Sequence, residues 1–481
     1  MDWGFVKKKE FKIFLTIWLI YIFFISGFGG NWLADSMLSE SLSIVNDYTF
    51  VADNYVKEGC KEIGCDYAFY EGHFYSGFAP GPTLLAVPLL FVFKPVFMLL
   101  PESFMGYTNV HLSLILANIL ATVFISSLLG ALLAVLVYWF SKYFTKSKKI
   151  RLLTAFTFAF GTLFFVYSTE YASRVMASFF VFLAFYLLFR AKHSSVRNRD
   201  LFLAGLFCGL SVFTEYTQAI VVVFVAIYLL TFLRDKRVLY FFLGGFIIFL
   251  ALISYHQFIF GGPFSTAYGT RMAHYAIDDL AYGVYGTAIP TSESLWGLSF
   301  SPEKGLFIYV PVSILSLLGF ALVLKNRSHK YFIEMFIVAL IVSGFFLYNA
   351  SLGHWRANCG FGPRYLIVIM PFLMLPMIFA LEKIKFRVAV LFAGLSVFIN
   401  FLPVLYGKTV LWQSFEGMGC NNPNVLFGEY VPLLFQRGLT NYSLNLIKYS
   451  VYDISVYLMN LIALGGLVIL GLIIWFIWKK N

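Results

Sequence analysis

Residues 31–81 read NWLADSMLSESLSIVNDYTFVADNYVKEGCKEIGCDYAFYEGHFYSGFAPG, a polar, acid-rich stretch set between two long apolar runs. It carries Asp35, Glu40, Asp47, Asp53, Asp66 and Glu71, then the turn-rich Tyr75-Ser76-Gly77-Phe78-Ala79-Pro80-Gly81. A simple connection between spans needs a handful of residues. A segment of about 50, with its own pattern of acids, aromatics and Pro/Gly turns, has a further task in binding or chemistry.

Of the 481 residues, 60% are hydrophobic and only 12% charged. That is more apolar side chain than a water-soluble core can hide, so the chain reads as an all-α polytopic membrane protein. An aromatic content of 20%, including 57 Phe, suits lipid-facing helices with Trp and Tyr near the headgroups and argues against a porin-like barrel. A net charge of +11 would suggest nucleic acid in a soluble protein. Here the lysines and arginines mark the cytoplasmic side, and no nucleic-acid partner is expected.

Lys7-Lys8-Lys9 precedes an apolar run from about Phe11 to Phe28, long enough to cross a hydrocarbon layer of roughly 30 Å. Its length, and the lack of a small-residue cleavage pattern after it, favour a retained span over a cleaved signal peptide. Pro82 to Leu100 is apolar but interrupted by Lys94-Pro95, which suits a re-entrant or surface-lying helix. Further runs lie near 111–140, 152–167, 175–189, 201–213, 217–233, 239–258, 306–324, 331–349, 365–381, 388–405 and 454–478. They bring the count to about twelve crossings, with both termini inside. The basic clusters Lys142 to Arg151, Arg190 to Arg199, Arg234 to Arg237, Lys325 to Lys330, Lys383 to Arg387 and Lys479-Lys480 then all fall on the cytoplasmic face.

The chain is thus one integral-membrane domain, 1–481, with three long extracytoplasmic loops at 30–110, 261–305 and 407–453. The first contains the re-entrant or surface helices. Carboxylates placed outside merely to respect the charge rule are the bland alternative; the length and patterning of the loops favour chemistry on that face. Cys60, Cys65, Cys359 and Cys420 all fall on outer loops, and Cys208 lies within a span. Four outer cysteines invite two disulfides, Cys60 with Cys65 and Cys359 with Cys420. No metal-binding cysteine or histidine spacing competes, which leaves disulfides or free thiols.

Asp35 stands a few residues beyond the first span, beside the headgroups, where a carboxylate suits a general base. Arg364 lies outside, where basic residues are scarce, and guanidinium matches phosphate bidentately. Gly360, Gly362 and Pro363 let its backbone come close, and Arg356 and His354 are weaker versions of the same idea. Glu170 and Arg174 fit an i,i+4 pair if a helix continues there. Glu215 lies in another short outer turn facing the same cavity. Asp66, Glu71, His73 and Tyr75 shape the first loop, with acceptor or sugar binding as their second role.

An acid after the first span, then Asn46-Asp47-Tyr48-Thr49-Phe50-Val51-Ala52-Asp53, then Asp66 to Ser76, then Ala79-Pro80-Gly81, resembles the first outer loop of GT-C integral-membrane glycosyltransferases. The likeness is nearest to their protein mannosyltransferase and aminoarabinose transferase branch. Ser301-Pro302-Glu303-Lys304-Gly305-Leu306-Phe307 and Gly362-Pro363-Arg364-Tyr365-Leu366 resemble later signatures of the same family. The resemblance implies a GT-C-like fold with short juxtamembrane helices in its outer loops. It also implies a hexosyl or pentosyl transferase that takes its sugar from a polyprenyl-phosphate donor to a lipid, glycan or protein acceptor. Asp35 would be the base of an inverting displacement, and Arg364 and Arg356 would hold the donor phosphate.

The chain departs from the family in one place. Many relatives carry a lysine or histidine just before the proline of the first-loop signature, where Gly77-Phe78-Ala79 stands here, so no phosphate contact is expected from that loop. No cofactor is predicted and no metal signature of the oligosaccharyltransferase type stands out, although Asp35 and a second-loop acid have the chemistry to share a divalent ion. The alternative function is a transporter or flippase of a polyprenyl-linked or other lipid. That reading calls for ionisable residues near mid-membrane, and few are found.

Overall fold

The computed structural model of the chain describes residues 8–26, 31–63, 65–104, 107–270, 286–357, 360–406, 425–439 and 456–479. Among these, seven helices are long and apolar enough to cross a membrane: Asn109–Phe144, Ser173–His193, Val238–Phe260, Phe332–Ser351, Arg364–Leu381, Phe386–Tyr406 and Leu458–Lys479. Shorter apolar helices, Pro80–Val92, Tyr216–Phe232 and Ser313–Leu324, accompany them, as do Lys8–Phe23, Lys148–Phe160 and Asn198–Thr214. The result is a helical, multi-pass membrane fold. Among the described residues the β-structure is two small hairpins, Tyr67–Tyr70 with His73–Ser76 and Ser103–Phe104 with Tyr107–Thr108, and a bridge between Thr287 and Leu352.

Several runs that read as single spans are broken, each for a local reason. The 306–324 run divides into Leu306–Tyr309 and Ser313–Leu324, because Pro311 has no N–H to donate and pushes Val310 out of the helical region. The 152–167 run is interrupted after Phe160 by Gly161-Thr162 and resumes at Phe164. The stretch expected to lie at the surface forms two helices, Pro80–Val92 and Lys94–Met98. Lys94 does not sit in lipid there, since its Nζ donates to the Val45 carbonyl at 2.8 Å. Between Asn198–Thr214 and Val238–Phe260 the backbones touch: a Cβ on Gly205 would stand 1.8 Å from Phe241 O, and one on Gly244 2.1 Å from Phe202 O. Small residues at helix crossings are a general means of association where lipid removes the hydrophobic driving force.

Charged groups separate to two ends of this bundle. At one end the basic turns gather. Lys142 pairs with Glu10 at 2.6 Å, Arg190 with Asp200 at 2.8 Å, and Lys192 with Glu334 at 2.7 Å. Tyr331 donates to the Tyr143 carbonyl at 2.7 Å, and Thr145 bonds Glu382. At the other end the long connections meet. Ser26 N–H reaches the Thr169 carbonyl at 2.8 Å, Tyr255 bonds Glu40 at 2.8 Å, and Gly353 N–H reaches Gly286 O at 3.1 Å. Cys60 and Cys65 are joined in a disulfide with Cα atoms 5.1 Å apart, and Cys208 is a buried free thiol. The other expected pair, Cys359 with Cys420, and most of the 407–453 loop lie outside the described residues.

Candidate active site

The helix Trp32–Asn46 is polar yet almost wholly buried, because its hydroxyls and one carboxylate receive the neighbouring hairpin. Ser36 Oγ donates to the Asp66 carbonyl at 2.8 Å and accepts from Gly77 N–H at 3.0 Å. Ser39 Oγ shares a 2.7 Å bond with Tyr67 OH. Glu40, one turn after Ser36, accepts from Ser76 N–H at 2.9 Å and from Tyr255 OH at 2.8 Å. Burial without a cationic partner pushes its carboxyl up to about 7, against those two donors. The hairpin turns through Glu71 and Gly72, both at positive φ (49° and 87°), as a tight two-residue turn requires. Asp53 caps it, accepting from Phe74 N–H at 2.7 Å with His73 Nδ1 2.8 Å away.

Asp35 lies in the first turn of the same helix, its side chain 4% exposed. Lys57 Nζ donates to Oδ2 at 2.7 Å, while Oδ1 is buried and accepts no hydrogen bond from any described residue. Burial raises its pKa above the ordinary carboxylate value, with Lys57 and, more weakly, His111 opposing the rise. The carboxylate is thus more basic than usual and hydrogen-bonded on one oxygen only.

A second group is built on the segment before Arg364–Leu381. Gly362 adopts positive φ (59°), and Pro363 fixes the turn into Arg364. A Cβ on Gly360 would stand 2.4 Å from Arg364 Cδ, so any larger residue there would displace the arginine side chain. Arg364 Nε is buried and donates to no described residue. Its guanidinium lies 5.6 Å from the Tyr365 ring, and that of Arg174 lies 4.6 Å from the same ring. Tyr365 OH shares a 2.9 Å hydrogen bond with His354 Nε2. Arg174 Nε lies 3.8 Å from Glu215, which also accepts from Ser173 Oγ at 3.0 Å. Asp66 and Glu170 lie within electrostatic reach of Arg364, and Asn31 Nδ2 donates to Glu170 at 3.4 Å. Asp66 is thus within reach of Arg364 while its carbonyl accepts from Ser36, the residue after Asp35.

The structure thus brings together Asp66, Glu170, Arg174, Glu215, His354 and Arg364, and Asp35 precedes Ser36, whose hydroxyl donates to the Asp66 carbonyl. Others stand apart. Glu71 and His73 are exposed on the turn side of the hairpin, and Tyr75 packs on Tyr255 and Phe260. The i,i+4 pairing of Glu170 with Arg174 does not form, because the helix starts only at Ser173 and Arg174 reaches across to Glu215 instead. Arg356 is committed elsewhere: it stacks on Trp355 at 4.3 Å, bonds Glu303 at 3.3 Å and pairs with Glu293. With two carboxylates already on its guanidinium it buttresses the second loop. Among the described residues no three His, Cys, Asp or Glu side chains gather closely enough to hold a metal ion.

Sequence reasoning passed over Lys57, His111, Glu40, Lys304 and Tyr365. Lys57 had a signal, one of two lysines among the acids of residues 31–81, and Lys304 lies inside a quoted signature. A separate cleft of about 1170 Å³, between the helices of residues 198–260, is walled mainly by apolar side chains and reaches Lys236 and Arg237 at the basic end; it is not part of this polar region.

Residues 107–257 match the family described as dolichyl-phosphate-mannose-protein mannosyltransferase. That range includes Glu170, Arg174 and Glu215 but neither Asp35 nor Arg364. No curated protein matches the chain. Among solved structures, the fold is similar to ArnT from Cupriavidus metallidurans bound to undecaprenyl phosphate, with 13% identity, a TM-score of 0.48, and coverage of 97% of this chain and 77% of that one. It is also similar to the oligosaccharyltransferase of Archaeoglobus fulgidus in the apo form, with 12% identity, a TM-score of 0.49, and coverage of 95% and 61%.

Proposed function

We propose that this chain is a membrane glycosyltransferase that moves a sugar from a polyprenyl-phosphate donor to an acceptor hydroxyl at the extracytoplasmic face, with inversion. The observation that carries the reading is a buried carboxylate hydrogen-bonded on one oxygen only, Asp35, together with an arginine, Arg364, whose Nε is buried without a described acceptor. The mannosyltransferase match over 107–257 supports the reaction class, and the separation of basic turns from the site supports the outward orientation.

The chemistry follows from the groups present. A lipid phosphate leaves readily, so the step needs no strong acid at the glycosidic oxygen. The acceptor hydroxyl must lose its proton as its oxygen attacks the anomeric carbon, and Asp35 takes that proton on the free oxygen while Lys57 holds the other. The bond from the sugar to phosphate oxygen breaks and leaves its electrons on the phosphate. Arg364, steadied over Tyr365 with Arg174, faces that growing charge. Attack opposite the leaving group inverts the anomeric centre. Asp66, Glu170 and Glu215 orient the cations and offer acceptors to sugar hydroxyls.

The reading is tested by incubating the purified protein with a panel of radiolabelled polyprenyl-phosphate sugars and membrane extract as acceptor. The expected result is transfer from one donor with release of polyprenyl phosphate, lost in Arg364→Ala. Movement of donor across liposomes without any transfer would overturn it in favour of a flippase.

A further inference from the structure

Residues 198–260 form three helices, and the second and third part company. Tyr216–Phe232 packs on Phe332–Ser351, whereas Val238–Phe260 packs on Asn198–Thr214, where Gly205 and Gly244 let the backbones meet. The space left between them is the cleft of about 1170 Å³, larger than the roughly 300–1,000 Å³ of most small-molecule sites. Its lining changes character along its length. Asn198, Lys236, Arg237 and Tyr240 stand at the basic end, and beyond them the walls are apolar, with Val212, Val222, Ala226, Phe246 and Leu252 from the three helices. From Leu239 to Leu252 the third helix runs about 20 Å, at roughly 1.5 Å per residue. That is more than the depth of one leaflet, about half of a hydrocarbon layer of roughly 30 Å. The third helix lies on the outside of the bundle, with Phe242 and Phe246 49% and 52% exposed, so the cleft is open to lipid from the side.

The mouth of the cleft is positive. The turn at 234–237 carries Arg234, Lys236 and Arg237 against the single acid Asp235. Arg237 and Asp235 pair at 2.6 Å, which leaves the charges of Arg234 and Lys236 in excess. Arg197 and Arg199 flank Asn198, and Asp200 beside them is paired with Arg190 at 2.8 Å. Lys236 and Arg237 are both exposed. We propose that the cleft binds one anionic phospholipid, its acyl chains between Tyr216–Phe232 and Val238–Phe260 and its phosphate on Lys236 and Arg237. A lipid has the same polar-to-apolar order as the lining, and basic pockets between membrane helices suit acidic headgroups. The bound lipid fills the gap between two helices that make few contacts of their own. This site is separate from the polar region around Asp35 and Arg364 and does not depend on the reaction assigned to it.

The test is native mass spectrometry of the full-length protein, delipidated in detergent and titrated separately with dioleoylphosphatidylglycerol and dioleoylphosphatidylcholine, whose chains are identical. The expected result is one phosphatidylglycerol per chain, held roughly thirtyfold more tightly than phosphatidylcholine if each of the two cations contributes the usual attraction. The preference should shrink as salt is raised. The double variant Lys236→Gln, Arg237→Gln, altered only at exposed positions, should lose the preference. Ala226→Phe, which fills the apolar part of the cleft, should lose the saturable adduct with either lipid; the double variant carries the test if Ala226→Phe fails to fold. Equal binding of the two lipids by wild type, or an undiminished preference in the double variant, overturns the proposal. So does displacement of phosphatidylglycerol by an equal concentration of short-chain polyprenyl phosphate, which would give the cleft to a prenyl chain. A dimer that forms as lipid is removed and hides the cleft would give it to a second copy of the chain, and overturns the proposal as well.

Discussion

Replacing Lys57 by Met should change the pH at which the enzyme works before it changes anything else. Lys57 Nζ lies 2.7 Å from Asp35 Oδ2, with the lysine side chain 21% exposed and the carboxylate 4%. A hydrogen bond between charged groups in such surroundings contributes about 1.5–3 kcal/mol. At 1.36 kcal/mol per pH unit, its loss raises the Asp35 pKa by about 1–2 units. The sign follows from the charges: the ammonium favours the carboxylate, so without it the base stays protonated to higher pH. The acid limb of kcat/KM for sugar transfer should therefore move upward by about 1–2 pH units, and Lys57→Arg should leave it in place. An unmoved limb in folded Lys57→Met, or one displaced downward, would refute the assignment of Asp35 as the titrating base.

Glu40 supplies a stability test. Its carboxyl is near 7 when folded and near 4.5 otherwise, so the folded state binds the extra proton between those values and stability falls as pH rises through that window, by roughly 3 kcal/mol in total. Glu40→Gln keeps its one oxygen as acceptor for Ser76 N–H, lets its amide N–H donate to the Tyr255 hydroxyl, and removes the titration. Its melting temperature should vary less between pH 5 and 8 than that of wild type, and a parallel pH dependence would contradict the analysis. Gly360→Ala places a methyl against Arg364 Cδ, 2.4 Å away if nothing moves. It should raise KM for the donor by about tenfold, in line with one weakened charged contact, with little change in thermal unfolding.

The membrane class was legible in the sequence because it depends on a long-range average, the apolar runs. Asp35, Arg364, Arg174 and Glu215 stood out as uncommon charges beside spans and are buried or partly buried in the fold, and the Cys60–Cys65 bridge follows from a short separation in the first loop. Partners were not legible. Arg174 pairs with Glu215, 41 positions away, rather than Glu170, because the helix start at Ser173 depends on packing that periodicity does not report. Arg356 looked like Arg364 in sequence, yet the second loop supplies it with Glu293 and Glu303. Lys57, Glu40 and Lys304 were passed over because a charged residue on a loop reads as solvated until the loop is seen to fold inward.

The central claim is that Asp35 removes the acceptor's proton in a sugar transfer from polyprenyl phosphate. Its most direct test is single-turnover transfer by Asp35→Asn, with donor affinity measured on the same preparation. The account predicts donor binding within a few-fold of wild type and a rate lower by about 10²–10⁴, the usual worth of a positioned base. Transfer by Asp35→Asn at the wild-type rate would contradict it.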